Sequence, residues 1–198
     1  MLDDAITYAD RDLARQIARE GLRQAQCKEV LGEIMYFKAQ AEIIDENYKE
    51  ALSYLNRAIQ YNPCDGAAYN DRALCIIDLN RIEGQLPGSC SGRALADFDK
   101  GIEVEPDYAG VYHNKGWYLN QLGCHREAIP YFEKALALEP GRAVTYENLA
   151  DTYLNLGEKT EAIYALYQAL QYLKSPCLEI QEQLETRIKT LISGDTSR

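Results

Sequence analysis

The chain has 198 residues, 46% of them hydrophobic, so it is long and apolar enough to form a packed core. Its net charge of −10 argues against nucleic-acid binding, because an acidic chain repels phosphate backbones. No apolar run approaches the roughly 20 residues of a membrane span, and the first ten residues lack the pattern of a secretory signal. Composition therefore favours a cytoplasmic protein.

The first predicted element is a helix over residues 3–25, within an N-terminal segment spanning 1–31. Ala14, Ala18 and Gly21 lie four and three residues apart, which places small side chains on one helix face. We interpret this segment as a degenerate half repeat. Its simplest role is to cap the core, and docking of a partner is the alternative.

A half-apolar decamer that ends in proline recurs further along the chain. Its copies are YLNRAIQYNP (54–63), DFDKGIEVEP (97–106), YFEKALALEP (131–140) and a looser LYQALQYLKSP (166–176). Pro106 and Pro140 lie 34 residues apart, whereas Pro63 and Pro106 lie 43 apart, which indicates a period of 34 with nine inserted residues. Each proline stops a helix so that the chain can turn back.

Each decamer belongs to a helix with a fixed pattern of small and large residues. A small residue is followed four positions later by a large apolar one, and a second small residue comes three positions after that. This spacing marks one helix face, where small residues let a neighbouring helix come close. The four sets are Ala51, Leu55 and Ala58; Ala94, Phe98 and Gly101; Ala128, Phe132 and Ala135; Ala162, Leu166 and Ala169.

A second kind of helix precedes each decamer helix. Its copies, YNDRALCII (69–77), YHNKGWYLN (112–120) and YENLADTYL (146–154), open with tyrosine and carry a small residue four positions later. Gly123 and Gly157 lie 34 apart, where a helix-to-helix turn is expected. Four helix-turn-helix units follow, at 32–65, 66–108, 109–142 and 143–175.

The nine extra residues fall in the loop 81–92, RIEGQLPGSCSG, inside the second unit. This loop has no preceding strand and no G-x-x-x-x-G-K-[ST] spacing, so it is not a phosphate-binding loop. Neutral loop growth and a binding role both remain open.

The chain is predicted to end in an amphipathic helix over 176–192, followed by a frayed tail at 193–198. The apolar positions of this helix are Leu178, Leu184, Ile188, Leu191 and Ile192. Capping of the core is its expected role, with partner docking as the alternative.

The sequence gives little support for catalysis or metal binding. The six cysteines include no CxxC and show no zinc-ligand spacing, so free thiols in a reducing compartment are expected. His113 and His125 are twelve residues apart, about 18 Å along a helix, which is too far to share a metal. We therefore expect no enzyme activity, no metal and no cofactor.

The 34-residue pattern resembles that of the tetratricopeptide repeat (TPR) family, which reads W-x2-L-G-x2-Y, then A-x3-F, then P. The copy at 143–174 is the best, with Tyr146, Leu149, Ala150 and Tyr153 in its first helix. The resemblance covers about residues 30–174 and implies an all-α, right-handed superhelix (a TPR solenoid) of about four repeats with terminal capping helices.

In this family the first helix of each repeat lines a concave face that binds ligands. Five of the 24 equivalent positions in this chain are acidic and none is lysine or arginine, so we expect a groove that prefers neutral or basic segments. Arrays that grip the carboxylate tail of heat-shock chaperones use lysine and arginine there, which disfavours that function. The predicted partner-binding residues are Tyr36, Gln40, Asn70, Asp71, Leu74, Asp78, His113, Asn114, Trp117, Gln121, Glu147, Asn148, Asp151 and Asn155.

Two features of this set are singled out. Asn114 and Asn148 occupy equivalent positions one period apart, with Asp71 at the same place in the second repeat. An amide donates and accepts, so such a ladder can hold an extended peptide backbone; a merely solvated polar face is the alternative. Trp117, the only tryptophan, is either an exposed anchor or packed between first helices.

The resemblance therefore implies a non-catalytic protein–protein interaction module, an adaptor or scaffold that binds a neutral or basic peptide or helix of a partner protein. One alternative is a structural solenoid that self-assembles into homo-oligomers through its terminal helices. A further alternative is a thiol-based sensor.

Overall fold

The computed structural model describes residues 11–85, 91–173 and 178–193. Within these ranges the secondary structure consists of α-helices joined by turns, with no strand. The helices are α1 (Arg11–Lys28), α2 (Leu31–Ile44), α3 (Tyr48–Tyr61), α4 (Gly66–Ile82), α5 (Ser91–Val104), α6 (Ala109–Gln121), α7 (His125–Leu138), α8 (Ala143–Asn155), α9 (Lys159–Gln171) and α10 (Leu178–Ser193).

The chain divides into two compact units, which are described separately. Unit 1 comprises residues 1–106 and unit 2 comprises residues 107–198. In unit 1 the successive pairs α1–α2, α2–α3, α3–α4 and α4–α5 pack together, and in unit 2 the pairs α6–α7, α7–α8, α8–α9 and α9–α10 do so. The four predicted repeats correspond to the pairs α2–α3, α4–α5, α6–α7 and α8–α9.

The core is formed by the predicted face of the second helices. Leu55, Phe98, Phe132 and Leu166 are all 0% exposed, and the small residues that flank each of them are also buried. Full burial of a leucine or phenylalanine contributes about 1.5–3 kcal/mol. The predicted spacing of small and large residues is confirmed.

Each first helix carries a small residue at the point where the large apolar side chain of the second helix packs directly against it. A Cβ atom on Gly116 would be 3.0 Å from the ring of Phe132 and 3.2 Å from the carbonyl oxygen of Ala128. Ala73 and Ala150 occupy the equivalent positions, and both are 0% exposed. Close approach of the two backbones therefore limits side-chain size at this position.

Five of the turns between helices share one hydrogen-bonding pattern. After α6 the N–H of Gly123 donates to Asn120 O at 3.1 Å, and the N–H of Cys124 donates to Leu119 O at 2.9 Å. This is the Schellman motif, which needs a residue with positive φ. Gly84, Gly123 and Gly157 supply it at three turns, whereas glutamate does so at two, with φ of 58° at Glu29 and 62° at Glu46.

Pro130 lies inside α7 without ending it, since the helix runs from His125 to Leu138. From the sequence we expect at most a mild kink at this residue, and the helix is unbroken here. The lost N–H falls in the first half of the helix, on an exposed side of it.

The two terminal helices can be compared with their predictions within the described residues. The predicted helix at 3–25 appears as α1 from residue 11 onward; residues 1–10 lie outside the described ranges. In α10, Leu184 and Ile188 are buried, whereas Leu178 and Ile192 are 66% and 61% exposed, so only part of the predicted apolar face is covered. Residues 86–90 of the insertion, Pro176 and the tail at 194–198 also lie outside the described residues.

The glutamates with positive φ generate a stability prediction. Glu29→Gly should raise the free energy of unfolding by about 0.5–1 kcal/mol, because glycine adopts this conformation without the Cβ clash. Gln16→Gly, at an exposed position inside α1, should lower it by about 1 kcal/mol. Urea unfolding of wild type and the two variants checks both predictions. A destabilised Glu29→Gly variant would contradict the inference that the backbone at Glu29 is strained.

Candidate functional site

All fourteen predicted partner-binding residues lie on the first helices of the repeats, α2, α4, α6 and α8. We call the side of these helices that carries them the first-helix face; it is formed by α2 and α4 within unit 1 and by α6 and α8 within unit 2. Eleven of the residues are partly or fully exposed. The other three, Gln40, Asn70 and His113, are only 3%, 2% and 6% exposed, so they lie behind the face and offer little surface to a ligand.

In unit 1, two of these buried side chains hold Asp71. Gln40 on α2 donates from Nε2 to Asp71 Oδ2, and Asn70 donates from Nδ2 to Asp71 Oδ1 at 3.0 Å. The carboxylate thus bridges two successive first helices. Two amide donors thus fix its orientation.

Asp78 lies two turns further along α4, in a half-buried position. Burial raises the pKa of Asp78, and the nearby charge of Glu46 raises it further, while Arg81 opposes both. Arg81 Nη2 lies 2.8 Å from Asp78 Oδ1, but the Arg81 side chain is 74% exposed. Such an exposed pair contributes little to stability, so Arg81 can give way to another cation.

In unit 2, His113 joins α6 to α8. Its Nδ1 is 2.9 Å from Thr145 Oγ1 and its Nε2 is 3.4 Å from Asn148 Nδ2. The imidazole also packs edge-on against Phe132, with ring centroids 5.9 Å apart. His113 therefore connects the core to Asn148, which is one position of the predicted ladder.

The burial of His113 keeps the imidazole neutral. Desolvation lowers the pKa of His113 from 6.5 to about 3, with a smaller contribution from the positive charge of Arg142. A neutral ring has one donor and one acceptor nitrogen, and these match the hydroxyl of Thr145 and the amide of Asn148.

A second polar link connects α6 and α8 near their C-terminal ends. Asn155 donates from Nδ2 to Asn120 Oδ1 at 3.4 Å, and the Nδ1 of His125 contacts the same oxygen. His125 is the first residue of α7. The amides of this face are thus partly engaged with one another.

Arg187 is not on a first helix but contacts this face, and the sequence prediction missed it. It lies on α10 and donates from Nη2 to Asp151 Oδ1. The available signal was its position, 36 residues after Asp151, which is close to one repeat period. Glu147, one turn before Asp151, has a raised pKa because it is buried, and the charge of Arg187 counteracts this rise.

Trp117 is partly exposed on α6, with its ring centroid 6.4 Å from that of Tyr118. Gln121 is exposed four residues further on, so the tryptophan is next to a solvated part of the helix.

The described residues contain no group of three or more histidine, cysteine or acidic side chains placed to hold a metal ion. Cys27, Cys64, Cys75 and Cys124 are free thiols. Burial raises the pKa of Cys75 well above its ordinary value, which makes this thiol unreactive. Every helix in the described ranges is too short or too polar to cross a lipid bilayer.

Comparison with known proteins identifies the family. Tetratricopeptide repeat profiles match residues 32–63 and 107–175, together about half of the chain. The chain belongs to the tetratricopeptide repeat family. The all-α TPR solenoid predicted from the sequence is confirmed, and the family is one of protein-interaction scaffolds.

Three known proteins illustrate the similarity. The chain is 36% identical over 72 residues to Hsp70-Hsp90 organizing protein 3 of Arabidopsis thaliana, but the match covers 36% of this chain and only 11% of that relative. The structure of TTC0263, a thermophilic TPR protein of Thermus thermophilus, aligns with a TM-score of 0.74 at 20% identity, covering 97% of this chain and 95% of the other. YrrB, described as a TPR protein with an unusual peptide-binding site, aligns with a TM-score of 0.59 at 16% identity, over 92% and 88% of the two chains. At these identities the two structures show the fold alone.

The burial of His113 predicts a specific pH dependence. The unfolded chain binds this proton near pH 6.5 and the folded chain only near pH 3, so folded stability is lost as pH falls through this window. Between pH 7 and pH 5 the free energy of unfolding should fall about 2 kcal/mol more for wild type than for His113→Gln. Urea unfolding at both pH values measures the difference.

An independent measurement is the NMR shift of the His113 ring, which should stay constant from pH 8 to pH 5. A ring that titrates near pH 6.5 would contradict the neutral, buried state.

Proposed function

We propose that this chain is a non-catalytic adaptor or scaffold that binds a neutral or basic peptide or helix of a partner protein on its first-helix face. The observation that carries the proposal is the composition of the exposed part of this face. Among its eleven partly or fully exposed residues are four carboxylates and no lysine or arginine, alongside the amides of Asn114, Gln121, Asn148 and Asn155.

The side chains behind the face support the proposal. Gln40 holds the carboxylate of Asp71, and His113 contacts the amide of Asn148. Polar groups fixed in this way lose little conformational entropy when a ligand binds, so each contact contributes more to affinity. Extended segments that donate N–H groups, or that carry lysine or arginine, match these carboxylate and amide acceptors.

The charge of the face also bears on the kind of partner. The relative from Arabidopsis thaliana is named as an organizer of Hsp70 and Hsp90, and its matching segment is a small part of it. Carboxylates at Asp71, Asp78, Glu147 and Asp151 would repel an acidic tail, so we propose a neutral or basic partner segment instead. The exposed thiols of Cys27 and Cys64 fit a reducing compartment, in which case the adaptor works in the cytoplasm.

Selection from a random-peptide phage library on the immobilised chain tests this function. Enriched peptides should be neutral or carry lysine and arginine, because acidic ones are repelled. Their binding should change the fluorescence of Trp117, the only tryptophan, since it lies on the same face.

Variants then locate the binding surface. Asn148→Ala should weaken the selected peptides at least fivefold, because the contact on the face is lost. Gln171→Ala removes an exposed amide from α9, away from the face, and should leave the affinity within twofold of wild type. Enrichment of acidic peptides, or equal binding by both variants, would overturn the proposal.

A further inference from the structure

The C-terminal helix brings a positive charge to the acidic side of α8. Arg187 donates from Nη2 to Asp151 Oδ1. Glu147 precedes Asp151 by four residues and therefore lies on the same side of α8. Arg187 also interacts electrostatically with Glu147. A single guanidinium thus interacts with two carboxylates that were predicted from the sequence to bind a partner.

Two carboxylates one turn apart on a helix repel each other, so a cation placed between them is favourable. Burial raises the pKa of Glu147, the neighbouring charge of Asp151 raises it further, and Arg187 opposes both effects. Without Arg187, the two carboxylates would repel each other and attract another positive group. A guanidinium suits the pair best, because its planar fork donates to more than one oxygen and is weakly hydrated.

The helix that carries Arg187 buries few of its side chains. Of the sixteen residues of α10 only Leu184 and Ile188 are buried, the fewest of any helix in unit 2, whereas α8 buries five of its thirteen. Leu178 and Ile192 remain 66% and 61% exposed. Helices that bury few apolar contacts open locally at low free-energy cost, so α10 is the element of unit 2 that is displaced most easily.

We propose that α10 is a displaceable latch: its Arg187 occupies a guanidinium site formed by Glu147 and Asp151, and an arginine of a partner segment takes the place of Arg187 when α10 moves away. The inference rests on the proposed function, since it assumes that the first-helix face binds partners. It specifies arginine as the partner side chain that is bound. It also makes access to Glu147 and Asp151 depend on whether α10 is docked or displaced.

Affinity for an arginine probe tests the latch. The probe is a fluorescein-labelled, amidated dodecapeptide of alternating alanine and arginine, and fluorescence anisotropy measures its binding. Arg187→Gln should bind the probe at least fivefold more tightly than wild type, because the internal competitor is gone. Lys189→Gln removes the same charge from the same helix, at a side chain that is 76% exposed, and should stay within twofold of wild type.

Asp151→Asn distinguishes two causes of tighter probe binding, namely the loss of Arg187 from the carboxylate pair and a general loosening of α10. This variant breaks the same contact with Arg187 but also removes one of the two carboxylates. It should therefore show no gain in affinity, either alone or combined with Arg187→Gln. Hydrogen exchange gives a second readout: the probe should speed exchange of the α10 amides, residues 178–193, in the wild-type protein.

The outcomes distinguish the latch from the function on which it rests. If Arg187→Gln binds the probe no more tightly than Lys189→Gln, or if the probe leaves exchange in α10 unchanged, the latch is wrong. The adaptor function still stands in that case, provided that Asn148→Ala weakens the phage-selected peptides. If Asn148→Ala leaves those peptides unaffected, the adaptor function fails, whatever the probe does.

Discussion

Packing of one large apolar side chain against one small residue governs each of the helix pairs. Phe132 lies against Gly116, and Leu55, Phe98 and Leu166 are equally buried in the other repeats. This contact sets the distance between the two backbones of a pair, because no larger residue fits opposite the ring. The polar side of each first helix faces away from this contact. The contact therefore fixes where the predicted partner-binding side chains lie.

Most of the fold could be predicted from the sequence because it depends on spacing. Offsets of four and three residues define a helix face whatever the neighbouring side chains are, and a period of 34 defines the repeat. The turn glycines Gly123 and Gly157 were predictable for the same reason, since the Schellman motif needs positive φ. Glu29 and Glu46 were not, because glutamate carries no signal for that conformation.

The candidate face was less predictable, because the repeat period does not show which side chains hydrogen-bond to one another or which are covered. The repeat pattern places His113 and Gln40 at positions that face a ligand, yet both are buried and contact polar residues of the next first helix. The partner of Asp151 comes from α10, outside the repeats that the pattern recognises. A position in a repeat therefore predicts which side of a helix a residue occupies, but not whether another side chain covers it.

The end of α4 has a consequence for how the chain accommodates extra sequence. The N–H of Gly84 donates to Arg81 O and that of Gln85 donates to Asn80 O, so two carbonyls in the last turn of α4 are satisfied by the first residues after the helix. These two carbonyls therefore need no hydrogen bond from residues beyond Gln85. This junction lies between the two helices of one repeat. It is suited to carry a grafted epitope or reporter domain, because an insertion after Gln85 leaves the residues that close α4 in place.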